Sequence, residues 1–419
     1  MDADQSHDLS EDLVKRVNVE PLNITRVQRT SDLEVYRDAW RELAAGAPMR
    51  SPEWFLVWWK YYAAPGDELC VLLFHEPGGL LVGLAPLYTR RAGKRTTVRL
   101  LGSGDASTNH TTWLAAAGWE TLVSRGVAQF LLDSEPGWNA LHLEWVDVDD
   151  LAINVTVACL LEKSCLVRKT PSGHCWKITL PATWDEYLKT LSKTHRKRCR
   201  KLQQQFFESG RVQVHRAESE ADLRRGFEIL LQLHAARWEE PAKPLGCFSD
   251  SRSRAFHETV ARELLDRKQL LLIWLEFDGK PVAVEYQFIG RKTVYSYQAG
   301  MDPSVKEFSP GHLSIMASIQ SAILQHCESF DLSRGDQPYK ANWRAAPEAC
   351  HDIRIWPDQL PGRIEYTVWG VRNLTARMRK LVERGLKAAV PRHLINAGLR
   401  MLHSLGGKRR LPREGDTSK

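Results

Sequence analysis

The chain has 419 residues, 43% hydrophobic and 26% charged, enough apolar content to bury a core and to exclude a collagenous or wholly disordered protein. No run of about 18 apolar residues occurs, so no membrane-spanning helix is expected, and the polar start, Met1–Val19, does not read as a secretory signal. The formal charge of +7 is uneven: residues 361–419 hold fourteen Lys+Arg against four Asp+Glu, a balance of +10, leaving −3 on residues 1–360.

After a polar arm over residues 1–20, a first domain is expected over 21–169. Ser51-Pro52-Glu53 supplies an N-cap, a first-position proline and a first-turn acid for a helix carrying Trp54, Phe55, Trp58 and Trp59. Strands are predicted over Glu68–Phe74, Leu80–Tyr88 and Thr97–Leu101. A helix follows over Trp119–Leu132, a strand over Leu141–Val146 and a helix over Leu151–Glu162. A second domain is expected over 170–360. It opens with a short strand, Trp176–Leu180, and one long helix, Thr183–Glu208, with Thr183 and Glu186 at capping-box spacing. Then come strand Val212–His215 and helices Glu220–Glu239 and Ser251–Arg267. Leu270–Phe277 and Val282–Ile289 form a hairpin about Asp278-Gly279. Strand Thr293–Gly300, helix Gly311–Cys327 and strands Phe330–Ser333 and His351–Trp356 complete the domain. The repeated element order hints at a duplicated fold.

Two features carry chemistry. Strand, helix and strand from Thr293 to Ser333 predict a right-handed parallel crossover beside the antiparallel meander. Ser309-Pro310-Gly311 opens that helix with a capping residue, a first-position proline and a glycine, and a helix N-terminus entered this way suits a pyrophosphate. At the C-terminal end of the parallel pair, Arg334, Asp336, Tyr339 and Lys340 crowd into seven residues, where open α/β sheets bind ligands. The eight cysteines form no CxxC pair, and the histidines do not join them at zinc spacing, so no metal site is expected. Reduced thiols and a cytoplasmic location are the expectation.

Five segments of the second domain carry a resemblance: LPATWDEYLKTLSKTHRKRCRK (180–201), FSDSRSRAFH (248–257), LEFDGKPVAVEYQF (275–288), YSYQAGMDPSVKEFSPGHLSIMASIQSAI (295–323) and FDLSRGDQPYKANW (330–343). With SPEWFLVWWKYY (51–62), VGLAPLY (82–88) and VRLLGSG (98–104) in the first, they cover about residues 25–357. The text resembles the GNAT superfamily of acyltransferases, in the CelD-type branch from cellulose and exopolysaccharide gene clusters, with Fem-type tandem transferases as relatives. The resemblance implies two tandem α/β domains, each a mixed, mostly antiparallel sheet with one splayed parallel pair and helices on both faces. It implies direct transfer from acetyl-CoA or another acyl-CoA to an amine or hydroxyl of a sugar, a cell-envelope or exopolysaccharide precursor, or a metabolite. The donor would lie between the parallel strands, with Ser309, Pro310, Gly311 and His312 at its pyrophosphate. The superfamily's glycine-rich motif is not present, so aminoacyl-tRNA, the Fem-type donor, stays an alternative, as does a non-catalytic scaffold in a polysaccharide-synthesis complex.

Acyl transfer needs a base and an acid near the thioester. Asp336 is the first candidate base. Glu285, mid-strand on the side of Gln287, is the second. Tyr297 and Tyr339 are candidate acids. Lys193, Arg196, Lys197 and Arg200 recur on one helical face, a candidate rim for phosphates or an acidic acceptor, or a solvated face. Arg334, Lys340 and the aromatic rings of Trp238 and Trp343 complete the candidate substrate contacts. His195 reads as a core histidine. In the tail, Arg377, Lys380, Arg384 and Lys387 face away from Val371, Leu374, Met378 and Leu381. This basic amphipathic helix over 362–419 suits docking on the body or a peripheral contact with an anionic membrane, and no specific nucleic acid is expected.

Overall fold

The computed structural model describes residues 22–133, 137–238, 247–305 and 309–371. Residues through Pro357 form one compact unit. A second unit begins at Asp358, and its described part is helical over residues 360–371. The tail residues Leu374, Arg377, Met378, Lys380, Leu381, Arg384 and Lys387 lie outside the described residues, as does the side chain of Trp238.

The first half runs β1 (Asn23–Val27), a 3-10 turn (Thr30–Tyr36), α1 (Arg37–Leu43), α2 (Pro52–Tyr62), β2 (Asp67–His75), β3 (Leu81–Ala92), β4 (Arg95–Leu100), β5 (Leu114–Ala115), α3 (Glu120–Asp133), β6 (Ala140–Asp147), α4 (Leu151–Glu162) and β7 (Leu166–Thr179). The second runs α5 (Trp184–Thr190), α6 (Lys193–Leu202), β8 (Val212–Arg216), α7 (Glu220–Trp238), α8 (Ser251–Asp266), β9 (Leu270–Phe277), β10 (Lys280–Ile289), β11 (Thr293–Met301), α9 (Pro310–Leu324), β12 (Ser329–Arg334), α10 (Tyr339–Asn342) and β13 (Ala346–Trp356). In each half an antiparallel meander leads to one parallel pair, β4 with β6 and β11 with β12. The halves are two tandem units of one topology.

They share a single sheet, in the order β1-β2-β3-β4-β6-β13-β7-β12-β11-β10-β9-β8. At its centre the last strand of each half crosses over. Strand β13 pairs with β6, β7 pairs with β12, and the two pair with each other. Every exchanged strand is hydrogen-bonded on both sides, so neither half closes its own sheet. Helices cover both faces. Ser51 caps α2, its hydroxyl accepting from Trp54 N at 3.4 Å, and the buried Trp54 meets Phe256 of α8 edge-on at 5.1 Å. Helices α3 and α4 pack on the other face of the first half, and α5, α6 and α9 on that of the second.

Three expectations change. The single helix over Thr183–Glu208 is two, because Leu191 is extended (φ −71, ψ 157) and Ser192 starts a new helix by accepting from His195 N. The short strand over Trp176–Leu180 is the end of the fourteen-residue β7, which runs through residues 169 and 170. Ser309 stands at the N-cap of α9, but its side chain does not cap. Its backbone is left-handed (φ 49, ψ 58), and its hydroxyl accepts from Arg198 Nη2 at 2.8 Å.

Candidate active site in the second half

Strands β11 and β12 pair only where Thr293–Tyr295 faces Ser329–Asp331, then separate. A bulge helps them part. Tyr286 faces Gln298 and Gln287 faces Ser296, so Tyr297 is an extra residue on β11, and a bulge bends its strand and raises the local twist. The gap holds a cavity of about 240 Å³. Strand β10 lines it with Glu285 and Gln287, β11 with Ser296, Ala299 and Met301, and β12 with Phe330 and Leu332. Helix α9 adds Gly311, His312 and Ile315, α10 adds Tyr339, and Trp343 follows at its end.

The polar end of the cavity is small and buried. Glu285 Oε1 accepts from Ser314 Oγ at 2.6 Å, and Oε2 from Gln287 Nε2 at 3.4 Å. Gln287 Nε2 also donates to Ser318 Oγ at 2.9 Å, and Ser318 Oγ donates to the Ser314 carbonyl at 2.8 Å. Gln287 Oε1 is buried without a hydrogen-bond partner. An unmet buried acceptor at a cavity wall costs about 1–3 kcal/mol and marks a place for a donor group of a ligand. At Gly311 a Cβ would come within 2.8 Å of Met301 Cε, the far end of a flexible side chain that can move aside.

A second cluster stands beside the cavity. His195 and Cys199, four residues apart on α6, meet His312 from α9, with Cys199 Sγ 3.6 Å from His312 Nε2. The rings of His195 and His312 each lie 4.6 Å from the Trp343 ring. Burial, then the nearby Arg198 and His195, push His312 down to about 3, and burial pushes the Cys199 thiol up to about 11. Sequence spacing gave no hint of this trio, because 113 residues separate Cys199 from His312. Arg198 was missed too. It projects from α6 to Ser309 at the start of α9.

Of the residues singled out from sequence, Glu285, Gly311, His312, Tyr339 and Trp343 line the cavity. Ser309 and Pro310 stand at the start of α9. Asp336 does not line the cavity. It is exposed, and its Oδ1 accepts from His174 at 2.9 Å and Trp176 at 3.1 Å. The buried Tyr297 hydroxyl donates to the Ala106 carbonyl at 2.6 Å and lies 3.2 Å from His257 Nε2. Lys340 is buried, donating to the Ser333 and Arg334 carbonyls, each at 2.9 Å, and burial pushes it down to about 8. Arg334 joins the halves: it donates to Asn109 Oδ1 and the Thr108 carbonyl, and its guanidinium sits 4.3 Å from the Trp145 ring. Lys193, Lys197 and Arg200 are exposed on α6, while Arg196 is partly buried and donates to the Lys189 carbonyl.

The equivalent gap in the first half is bridged. Arg99 Nη2 meets Glu144 Oε1 at 2.7 Å across β4 and β6, and Gly104 N donates to Glu144 Oε2 at 2.8 Å. A larger hollow of about 950 Å³ lies by α1 and α8, but Arg37, Arg41 and Arg267 there all pair with Glu53, which leaves them less charge to offer a ligand.

The comparisons agree with this geometry. Residues 193–341 match the family model for an acetyltransferase (GNAT) domain, and this stretch contains the splayed strands and every residue lining the cavity except Trp343. Among solved structures, FemX superposes with a TM-score of 0.56 at 10% identity, covering 78% of this chain and 96% of that one. A conserved protein of unknown function from Bacteroides thetaiotaomicron gives a TM-score of 0.52 at 10% identity, covering 80% and 100%. Both likenesses show a shared fold. Among curated proteins the chain has no match. Among the described residues, no helix is long and apolar enough to cross a membrane.

Proposed function

We propose that the chain is an acyl-CoA-dependent N- or O-acyltransferase whose donor enters the gap between β11 and β12. The acceptor is an amine or hydroxyl of a sugar, a cell-envelope or exopolysaccharide precursor, or a metabolite. The observation that carries the reading is a buried carboxylate, Glu285, on the wall of the cavity between β11 and β12, where the first half's equivalent gap is instead spanned by Arg99 and Glu144. Glu285 takes the proton from the acceptor N–H or O–H as that atom attacks the thioester carbonyl. The new C–N or C–O bond forms, the C–S bond breaks, and the thiolate takes a proton from the Tyr339 hydroxyl at the cavity wall. Gln287 offers a polar group to the donor or acceptor. The first half, its own gap closed by Arg99 and Glu144, serves as a wall for the acceptor. The basic segment 362–419 makes a peripheral contact with an anionic membrane.

The test is transfer of a labelled acyl group from acyl-CoA to a panel of amino sugars, hydroxylated glycan precursors and amines, with free thiol release followed in parallel. Stoichiometric release with acceptor labelling supports the reading. Labelling from aminoacyl-tRNA and none from acyl-CoA would transfer it to the Fem-like alternative. Labelling from neither would leave a binding scaffold.

A further inference from the structure

We propose that His195, Cys199 and His312 form a binding site for a divalent cation of the zinc class, at the contact between α6 and α9. The donor set comes first. Two imidazoles and a thiolate suit Zn²⁺ or Co²⁺, and the absence of a carboxylate among the three argues against Mg²⁺ and Ca²⁺. The geometry comes second. The ligand atoms of the three residues all lie within 4.8 Å of one another. The 3.6 Å between Cys199 Sγ and His312 Nε2 equals the edge of about 3.6 Å that tetrahedral zinc–sulfur and zinc–nitrogen bonds impose. The matching nitrogen–nitrogen edge is about 3.3 Å, and no two ligand atoms are more than 4.8 Å apart, so the widest pair closes by at most about 1.5 Å. His195 is the ligand free to make that move: it is partly exposed, and its Nε2 is buried without a hydrogen-bond partner. An orphaned buried nitrogen in such a cluster is what a missing partner leaves behind.

The surroundings fit as well. His195 and Cys199 share a helical face because they are four residues apart, and Trp343 packs against both imidazoles. Arg198 is the cation that faces the cluster, and it opposes metal binding. Its guanidinium is tied to Ser309 Oγ, and the thiolate of a metal-bound Cys199 offsets its charge. Three protein ligands leave a fourth tetrahedral position for water or a ligand atom. His312 also lines the cavity, so the cation stands at the cavity wall. The inference does not rest on acyl transfer, since the same three residues would bind the ion in a scaffold protein.

The experiment is titration of the reduced, untagged full-length protein with Co²⁺ and then Zn²⁺. One equivalent of Co²⁺ should bind, with a thiolate-to-cobalt charge-transfer band and the intense visible absorption of a tetrahedral site, and Zn²⁺ should displace it. Cys199→Ser should abolish the charge-transfer band. His195→Asn, at the partly exposed ligand, should weaken binding at least about 100-fold while the protein stays folded by circular dichroism. A folded wild-type protein that binds no stoichiometric Co²⁺ or Zn²⁺ overturns the proposal. So does a His195→Asn protein with unchanged affinity and spectrum.

Discussion

A carboxylate at the wall of a small cavity can brace the sheet or take a proton, and a single substitution separates the two. Glu285→Gln keeps an oxygen to accept from Ser314, so the fold and the donor affinity should hold, while turnover should fall about 10²–10⁴-fold. Asp336→Asn should leave the rate near that of the wild type, because Asp336 is exposed and serves His174 and Trp176 away from the cavity. Thiol-release kinetics on both variants decide between them. A silent Glu285→Gln beside a crippled Asp336→Asn would move the chemistry to the strand end. Glu285 was legible in the sequence because a charged residue interrupts an apolar strand, and burying it costs free energy that demands a purpose. Sequence nevertheless ranked it below Asp336, since proximity to a strand end is visible in one dimension and the wall of a cavity is not. The orphaned Gln287 oxygen, and the meeting of His195 and Cys199 with His312, exist only after two helices and a strand have packed.

At the scale of elements, the break between α5 and α6 was concealed by a continuous apolar pattern. Leu188, Leu191 and Leu202 are all buried, so the periodicity runs through the interruption. The missed signal is Ser192, a capping residue inside a periodic run. The break turns α6 so that His195, Arg198 and Cys199 face α9. Ser192→Ala should cost about 0.5–2 kcal/mol, lowering the Tm by no more than about 2–4 °C, and Ser192→Asp should restore it. An unchanged Tm in both would mean the cap contributes nothing. Strand β7 failed to show for the opposite reason. Pro171 and Gly173 read as breakers, yet both lie in a central strand, on either side of Ser172, the residue its pairing with β13 skips. The proline and the glycine are accommodated at that irregularity while the rest of the strand keeps β13 on one side and, over residues 175–179, β12 on the other. The meander strands and α2 were legible because alternation and capping chemistry agree within each segment.

At the scale of the molecule, one buried charge cluster ties the halves together. His110, in the loop after β4, bonds to Asp147 of β6 through Nδ1 and to Asp331 of β12 through Nε2, each at 2.7 Å. Burial works against the charged ring, but the two aspartates win and raise His110 to about 10. Its unfolded value is about 6.5. The stabilisation is therefore fully present below about pH 6.5 and is lost as pH rises through about 10. Lys340, pushed down to about 8 by burial, acts in the opposite sense over part of that window, so the comparison must be with His110→Asn. That variant should be destabilised by about 3–5 kcal/mol at neutral pH, leaving two carboxylates without their cation, and its penalty should shrink toward pH 10. Urea unfolding across the pH range measures it, and a penalty independent of pH would show the ring to be neutral. The central claim, that the second half binds an acyl-CoA in the gap between β11 and β12, is tested most directly by calorimetry with acyl-CoA on the wild type and on Gly311→Glu. The glutamate would bring a negative charge and its bulk to the helix start, where the proposed donor's pyrophosphate would lie. The account predicts saturable binding to the wild type and none to the folded variant; equal affinity in the two would contradict it.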